Sequence, residues 1–194
     1  GGQDQIDLQN ITTTTSIDLR EGSSSSAGLT GPNAVQEGVP ATQNIQMAFG
    51  TVIETVLGSP QSDTLIGNAS ANKFEGRGGN DVLDGGDGID TAAWSGSVAN
   101  YKISKTAAGF SVQAVAGNEG NDQLQNIERL RFSDGGVALD LNGNAGTVAK
   151  ILGAVFGRAA VANKQFVGIG LSYMDAGWTY DNLAGLALRA AGAS

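Results

Sequence analysis

Four oxygen-bearing side chains recur at an interval of nine residues in the middle of the chain. They are Asp63, Asn72, Asp81 and Asp90. Carboxylate and amide oxygens are the ligands that Ca²⁺ prefers, and a bound Ca²⁺ takes about six to eight of them in flexible geometry. The chain contains no histidine and no cysteine, which removes the usual zinc ligands. The spacing therefore indicates a cation site built from hard oxygen ligands.

The repeated unit contains nine residues and extends over residues 58–93. Its clearest copy, GGDGIDTAA at 85–93, fits the calcium-binding pattern G-G-x-G-x-D-x-U-x, and the copy at 76–84 keeps the first and fourth glycines and the acid. Weaker copies occupy 58–66 and 67–75. A flexible linker would not place an apolar residue two positions after every acid. Those apolar residues are Leu65, Phe74, Leu83 and Ala92.

Each unit combines a glycine-rich turn with a very short strand, so two units complete one turn of a coil about eighteen residues long. The period therefore predicts a parallel β-roll with its apolar positions inside. Units on the same side lie two repeats apart, so a bound ion should bridge Asp63 with Asp81 and Asn72 with Asp90. One step upstream, Glu54 occupies the acid position and should face Asn72 in the same way.

An isolated copy of the unit, GNEGNDQLQ, occupies residues 117–125. Its acid, Asp122, has no partner two units away in sequence. Two interpretations stay open: Asp122 binds a further ion, or the segment is simply a hairpin turn.

The pattern changes on both sides of the repeats. Residues 3–20 alternate apolar and polar, which predicts two short strands, and residues 21–44, rich in Ser, Gly, Pro, Thr and Asn, predict a long loop. Alternation after Ala93 predicts ordinary antiparallel strands. From residue 142 the apolar residues follow a helical period, which predicts three helices, the last with Thr179 as N-cap.

The predicted fold class is therefore mainly β: a parallel β-roll flanked by antiparallel β structure, with a small C-terminal helical unit. The expected domains are residues 1–141, with the repeats at about 49–93, and residues 142–194, a three-helix module.

Composition excludes several functions. The net charge of −8, from 19 acidic and 11 basic residues, argues against nucleic acids and anionic membrane surfaces as partners. No apolar run is long enough to span a membrane. Without histidine or cysteine the chain has no nucleophile–base pair, so we expect no enzyme activity. The acids of the repeats repel one another without a cation, so folding should need bound ions.

Several segments resemble a known family. The segments GGQDQIDL (1–8), SIDLREG (16–22) and GTVIE (50–54), leading into the repeats, resemble the C-terminal domain of serralysin-type metalloproteases. That family belongs to the repeats-in-toxin (RTX) proteins exported by bacterial type I secretion, and NIERLRFSDG (126–135) is similar to a segment common in such proteins. The resemblance implies a secreted bacterial module that folds on extracellular Ca²⁺ and supports export through the type I machinery.

The resemblance also implies a set of ion-facing residues, in which the non-acidic members contribute backbone carbonyls. Together with Asn72, which comes from the spacing alone, they are Gly1, Gly2, Asp4, Glu54, Asp63, Arg77, Gly79, Asp81, Gly86, Gly88 and Asp90. Several calcium ions and no zinc are expected. Ser59, Pro60 and Gln61 replace the glycines of the first unit, and Asn72 replaces an acid, so these sites should be weaker.

Other functions stay open. One is a structural or adhesive cell-surface module, such as part of an S-layer, in which Ca²⁺ gives rigidity and copies self-associate. Another is a hydrolase or lyase that uses the β-roll as a substrate platform. The opening GGQD is typical of the middle of a domain, so we expect a fragment of a longer protein, with a serralysin-like protease as one candidate parent. The final LRAAGAS does not match the usual serralysin export terminus, which leaves a different exported parent open.

Overall fold

The computed structural model describes residues 2–28 and 41–192. The chain divides into two compact units, Gly1–Val137 and Ala138–Ser194. In the described residues the first unit consists of strands with one 3-10 turn at Val98–Asn100, and the second is helical beyond the end of the last strand.

Fourteen short strands are present in the described part of the chain. They are β1 (Gln5–Asp7), β2 (Ser16–Asp18), β3 (Ser24–Ser25), β4 (Ile45–Gln46), β5 (Thr55–Leu57), β6 (Thr64–Ile66), β7 (Lys73–Glu75), β8 (Val82–Asp84), β9 (Thr91–Ala93), β10 (Tyr101–Lys105), β11 (Phe110–Ala114), β12 (Asn121–Gln125), β13 (Arg129–Phe132) and β14 (Gly135–Ala138).

Successive repeats place their strands in alternate sheets. β5, β7 and β9 are neighbours in a sheet with the order β1-β5-β7-β9-β13-β14, whereas β6 and β8 are neighbours in the order β10-β11-β12-β8-β6-β2. The repeat strands pair in parallel, with Thr55 beside Lys73 and Thr64 beside Val82. This register confirms that units two repeats apart are neighbours. The chain therefore winds as a coil with two repeats in each turn.

The apolar residue of each repeat strand points into the space between the two sheets. Leu65, Phe74, Leu83 and Ala92 are at most 1% exposed, as the sequence predicts, and Val56 continues the series upstream. A three-residue strand offers only one inward side chain, so each repeat adds a single residue to this core. The core is thin, and the turns must supply the remaining stability.

After β9 the chain leaves the coil and then returns to it. β10 and β11 form an antiparallel hairpin, but β12 then runs parallel to β8, and β13 runs parallel to β9. β12 also pairs antiparallel with β11, so the predicted antiparallel strands are confirmed for β10, β11 and β12. The prediction is wrong for the parallel pairings of β12 with β8 and of β13 with β9. Alternation shows which side chains face the core but does not distinguish parallel from antiparallel neighbours. Each of these strands extends a sheet that the repeats begin.

The N-terminal segment supplies strands at the other end of the coil. β1 pairs in parallel with β5, and β2 pairs in parallel with β6, so the two predicted strands are confirmed. The predicted long loop over 21–44 is interrupted by β3, which pairs with β4. Residues 29–40 of that loop lie outside the described residues.

The helical unit contains four helices in its described residues. They are α1 (Asn144–Phe156), α2 (Arg158–Val161), α3 (Lys164–Asp175) and α4 (Tyr180–Ala190). The prediction of three helices missed α2, which is too short to show a helical period. Gly157, with φ of 83°, separates it from α1. Thr179 caps α4 as predicted: its side chain accepts from the Asn182 N–H, and Asn182 reciprocates.

The helices enclose a core of their own. Its buried members are Val148, Ile151, Leu152, Ala160, Leu183 and Ala187. Within residues 2–28 and 41–192, no helix combines the length and apolarity needed to cross a membrane.

The coil's core can be tested at its largest side chain. Phe74 is fully buried, whereas Phe49 is 84% exposed. Phe74→Ala should lower the free energy of unfolding by about 3–5 kcal/mol, because it removes buried surface and leaves a cavity. Phe49→Ala should change it by less than about 0.5 kcal/mol. Urea unfolding in saturating Ca²⁺ measures both, and equal effects of the two substitutions would contradict this account of the core.

Candidate metal centre

The turns of the two clearest repeats have a backbone that few residues can adopt. Arg77, Gly79, Gly86 and Gly88 all have positive φ, between 72° and 120°. Glycine reaches this region without strain, and Arg77 is the exception. The guanidinium of Arg77 donates to the Gly58 carbonyl at 3.0 Å, across to the neighbouring turn.

The first glycine of a unit serves a different purpose, because another turn passes against it. A Cβ on Gly58 would lie 2.5 Å from the Gly76 carbonyl oxygen and 2.9 Å from Asp63 Oδ2. A Cβ on Gly67 would collide with the Gly85 carbonyl oxygen. Carbonyl oxygens of one turn are therefore packed beside the acid side chain of the turn next to it.

On one side of the coil the acids form a continuous ladder. The N–H of Thr15 donates to Asp63 Oδ1 at 2.7 Å, and the N–H of Asp63 donates to Asp81 Oδ1 at 2.8 Å. The N–H of Asp81 donates to Asp122 Oδ1 at 3.0 Å. Asp122 therefore has a partner, Asp81, in the neighbouring turn. The two residues are 41 positions apart in sequence because the β10–β11 hairpin is inserted between them.

The opposite side carries a second ladder. The N–H of Asn72 donates to Asp90 Oδ1 at 2.7 Å, and the N–H of Asp90 donates to Glu128 Oε2 at 2.9 Å. Sequence reasoning missed Glu128, although a signal was present. Glu128 precedes the buried Leu130 by two positions, which is the acid-to-apolar spacing of the repeats.

The structure brings the predicted pairs Asp63/Asp81 and Asn72/Asp90 together. At the N-terminal end, Glu54 Oε2 accepts from the N–H of Asp4 at 2.7 Å, while the Asn72 amide donates to the Ile53 carbonyl. Glu54 and Asn72 directly precede the paired residues Thr55 and Lys73, so they lie side by side in neighbouring turns as predicted. An ion held between them stays a prediction.

Two N-terminal glycines were also predicted to face an ion. Gly1 lies outside the described residues, and Gly2 is exposed. Their role as ligands stays a prediction.

The acids and Asn72 differ in how their side-chain oxygens are satisfied. Asp63 Oδ2 accepts from the N–H of Ser59 at 2.6 Å, and Asn72 Oδ1 accepts from the N–H of Asn68 at 2.8 Å. In the part of the chain that the structure describes, Asp81 Oδ2 and Asp90 Oδ2 are buried and have no hydrogen-bond partner. The protein's own donors thus satisfy the two degenerate units, and each of the two clearest units keeps an orphaned carboxylate oxygen.

These buried acids titrate far from their ordinary range. Burial raises the pKa of Asp81 from 3.8 to about 8, with a further contribution from the charge of Asp122. Burial likewise raises the pKa of Asp90 to about 7, where Glu128 adds repulsion, and the pKa of Asp122 to about 6. Near neutral pH, burial therefore disfavours the bare ionised form of these carboxylates and favours a bound proton or cation.

No three side chains of His, Cys, Asp or Glu converge on one point within residues 2–28 and 41–192. A cation beside Asp81 or Asp90 would therefore need backbone carbonyls as well as carboxylates. Ca²⁺ accepts such a mixture readily, because it takes many oxygen ligands in flexible geometry. The orphaned oxygens, and the carbonyl oxygens that pack beside Gly58 and Gly67, are the kinds of ligand that this ion takes.

Comparison with known families agrees with this chemistry. The family model of the RTX calcium-binding nonapeptide repeat matches residues 57–92, in four copies. The four units are RTX calcium-binding repeats. Such repeats are typical of secreted bacterial proteins. No curated protein shows significant similarity to the chain.

The pKa values predict how pH acts on the RTX repeats without calcium. The folded-state pKa values of Asp81, Asp90 and Asp122 are raised, so the folded chain binds more protons than the unfolded chain. This contribution to stability is complete below about pH 4 and is lost as pH rises through about 6 to 8.

In calcium-free buffer, the midpoint of thermal unfolding should therefore be higher at about pH 5 than at about pH 8. In saturating Ca²⁺ this dependence should be abolished or reversed, because protons then compete with the ion. Circular dichroism at both pH values, in buffer passed over a chelating resin, measures the effect. A calcium-free midpoint that rises from pH 5 to pH 8 would contradict the raised pKa values of the buried acids.

Proposed function

We propose that the repeats of the first unit form a parallel β-roll that folds on extracellular Ca²⁺, as part of a bacterial protein exported by type I secretion. The observation that carries this proposal is the pair of orphaned, buried oxygens on Asp81 and Asp90 within RTX repeats. The alternating sheets and the parallel registers support the β-roll geometry.

The proposed ligands come from turns on the same side of the coil. Asp63 and Asp81 would hold an ion on one side, with carbonyls of the Arg77 and Gly79 turn. Asn72 and Asp90 would do so on the other. Bound Ca²⁺ would balance the negative charge of each buried carboxylate. The Ser59 and Asn68 N–H groups already satisfy the oxygens of the first two units, so those units should bind more weakly.

The same residues make the fold dependent on its surroundings. Where calcium is scarce, Asp81 and Asp90 can enter the fold only by taking up protons, and the thin core between the sheets offers little to offset this. At the millimolar calcium typical outside cells, sites with a Kd of about 10⁻⁴–10⁻³ M would each contribute about 0.4–1.4 kcal/mol. At the upper end of that range, four such sites together would contribute about 6 kcal/mol, which is comparable with the stability of a small domain.

We further propose that this chain has a folding and export role rather than an enzymatic one. Every well-placed acid in the repeats accepts a backbone N–H of a neighbouring turn, so these carboxylates serve the coil itself. The resemblance to serralysin C-terminal domains supports an exported protease as the parent. A reading frame encoding an H-E-x-x-H helix ahead of residue 1 would establish that parent.

Calcium titration of the whole chain tests the folding role. In calcium-free buffer at about pH 8, added Ca²⁺ should increase the β signal in circular dichroism and raise the unfolding midpoint, and Mg²⁺ should do so much less, because it demands a rigid octahedral site. Asp81→Asn should reduce the calcium-induced rise, and the variant should be at least as stable as the wild type without calcium because it buries no charge.

The matched control is Asp181→Asn, which removes the same charge from an exposed position in α4, outside the repeats. This variant should respond to calcium like the wild type. Removal of calcium that leaves both the β signal and the unfolding midpoint unchanged would sink the proposal.

A further inference from the structure

The end of the coil beyond the matched repeats contains an unusually short turn. β12 places Gln125 beside Asp84, and β13 places Arg129 beside Thr91. The six residues 85–90 of one turn therefore lie against only the three residues 126–128 of the next. These three residues carry none of the glycines of a repeat, and they lie outside the family match.

The short turn nevertheless reproduces the contacts of a full one. The N–H of Gly85 donates to the Gln125 carbonyl at 3.0 Å, as the N–H of Gly67 donates to the Asp84 carbonyl at 2.7 Å. A Cβ on Gly85 would collide with the carbonyl oxygen of Asn126, just as a Cβ on Gly67 would collide with that of Gly85. Asn126 therefore occupies the place of a unit's first glycine.

The conformation of Asn126 is what allows so short a turn. Its φ of 48° lies in the left-handed region, which asparagine tolerates better than most residues. Its side-chain amide donates to Asp84 Oδ1 at 2.8 Å, which holds the residue in place. The carbonyl of Asn126 is thereby kept against Gly85.

Glu128 takes the place of the unit's acid. It accepts the N–H of Asp90 at 2.9 Å, as Asp90 itself accepts the N–H of Asn72 at 2.7 Å. The turn is three residues shorter than a repeat, and glutamate is one methylene longer than aspartate. The longer side chain lets the Glu128 carboxylate reach the N–H of the neighbouring turn, which an aspartate accepts elsewhere in the coil.

An orphaned oxygen faces this turn. Asp90 is 0% exposed, and its Oδ2 has no hydrogen-bond partner among the described residues. That oxygen and the Asn126 carbonyl oxygen lie beside the same point, because both would clash with a Cβ on Gly85. The Glu128 carboxylate completes the arrangement, since an ionised carboxylate that accepts one N–H keeps lone pairs for a cation.

We propose that the turn 85–90 and the short turn 126–128 enclose a further Ca²⁺ site. Its protein ligands are Asp90 Oδ2, the Asn126 carbonyl and the Glu128 carboxylate, with water filling the remaining positions. This inference rests on the proposed calcium binding of the repeats and extends it past their end. The ion closes the ladder on this side of the coil, where no further repeat follows.

On the other side of the coil the ladder ends with a carboxylate whose two oxygens are both satisfied. There the last acid is Asp122, whose Oδ1 accepts from the N–H of Asp81 and whose Oδ2 accepts from Trp94 Nε1 at 2.8 Å. Both oxygens of that carboxylate thus have protein donors. One ladder ends on a tryptophan, and the other ends beside an orphaned oxygen that a cation can satisfy.

Counting bound calcium in Glu128 variants tests this site. Equilibrium dialysis of the full chain gives the number of ions bound at saturation. Glu128→Gln keeps an acceptor for the Asp90 N–H but removes the charge, and Glu128→Asp keeps the charge but shortens the reach. Each should bind one ion fewer than the wild type, or bind it at least about tenfold more weakly.

The matched control is Glu21→Gln. Glu21 also accepts a backbone N–H, from Gly50 at 3.0 Å, but it is exposed and lies outside the four units at 58–93. The control should bind as many ions as the wild type. Near-UV circular dichroism of the stacked Trp94 and Phe132 rings in excess Ca²⁺ shows whether each variant is folded.

The outcomes separate this inference from the function on which it rests. A wild-type chain that binds no calcium overturns both. A Glu128→Gln variant that is folded and binds the same number of ions with the same affinity overturns the added site alone. If neither variant folds, anomalous difference density in wild-type crystals grown in Ca²⁺ decides: a peak beside Glu128 supports the site, and peaks at the repeats without one there overturn it.

Discussion

The structure depends on the burial of carboxylates that the protein's own donors only half satisfy. Each acid of the coil accepts a backbone N–H of a neighbouring turn with one oxygen, which fixes the spacing between turns. In the two clearest repeats the other oxygen is buried and has no partner within residues 2–28 and 41–192. Burying an ionised group without a partner is costly, so a bound proton or cation should stabilise the coil.

This constraint explains why degenerate repeats still fit the coil. In the first two units, side chains and N–H groups replace what a cation would supply: Ser59 donates to Asp63, and Asn68 donates to Asn72. The two units that lack most of the consensus glycines should therefore depend less on the ion. The repeats thus differ in whether a protein donor or a cation satisfies the buried side-chain oxygens. The calcium response should be concentrated in the units that contain Asp81 and Asp90.

Much of this arrangement follows from the sequence, because a constant period of acid and apolar residue fixes both the inward side chains and the pairing of units such as Asp63 and Asp81. The end of the coil could not be predicted in the same way. Asp122 reaches its partner only because a hairpin is inserted between them, and Glu128 lies in a turn without glycines. Each of these acids is followed two positions later by a buried leucine, Leu124 or Leu130. This acid-to-apolar spacing is kept where the glycines of the repeat are lost.

The central claim is that a cation holds the acid ladders together, and amide hydrogen exchange tests it most directly. The N–H groups of Asp63, Asn72, Asp81 and Asp90 donate to the neighbouring acids, so their protection reports on the ladders. At about pH 8 these amides should be strongly protected in saturating Ca²⁺ and should exchange rapidly without it, while Leu152 in the helical core keeps its protection. Equal protection of the four amides with and without calcium would contradict the account.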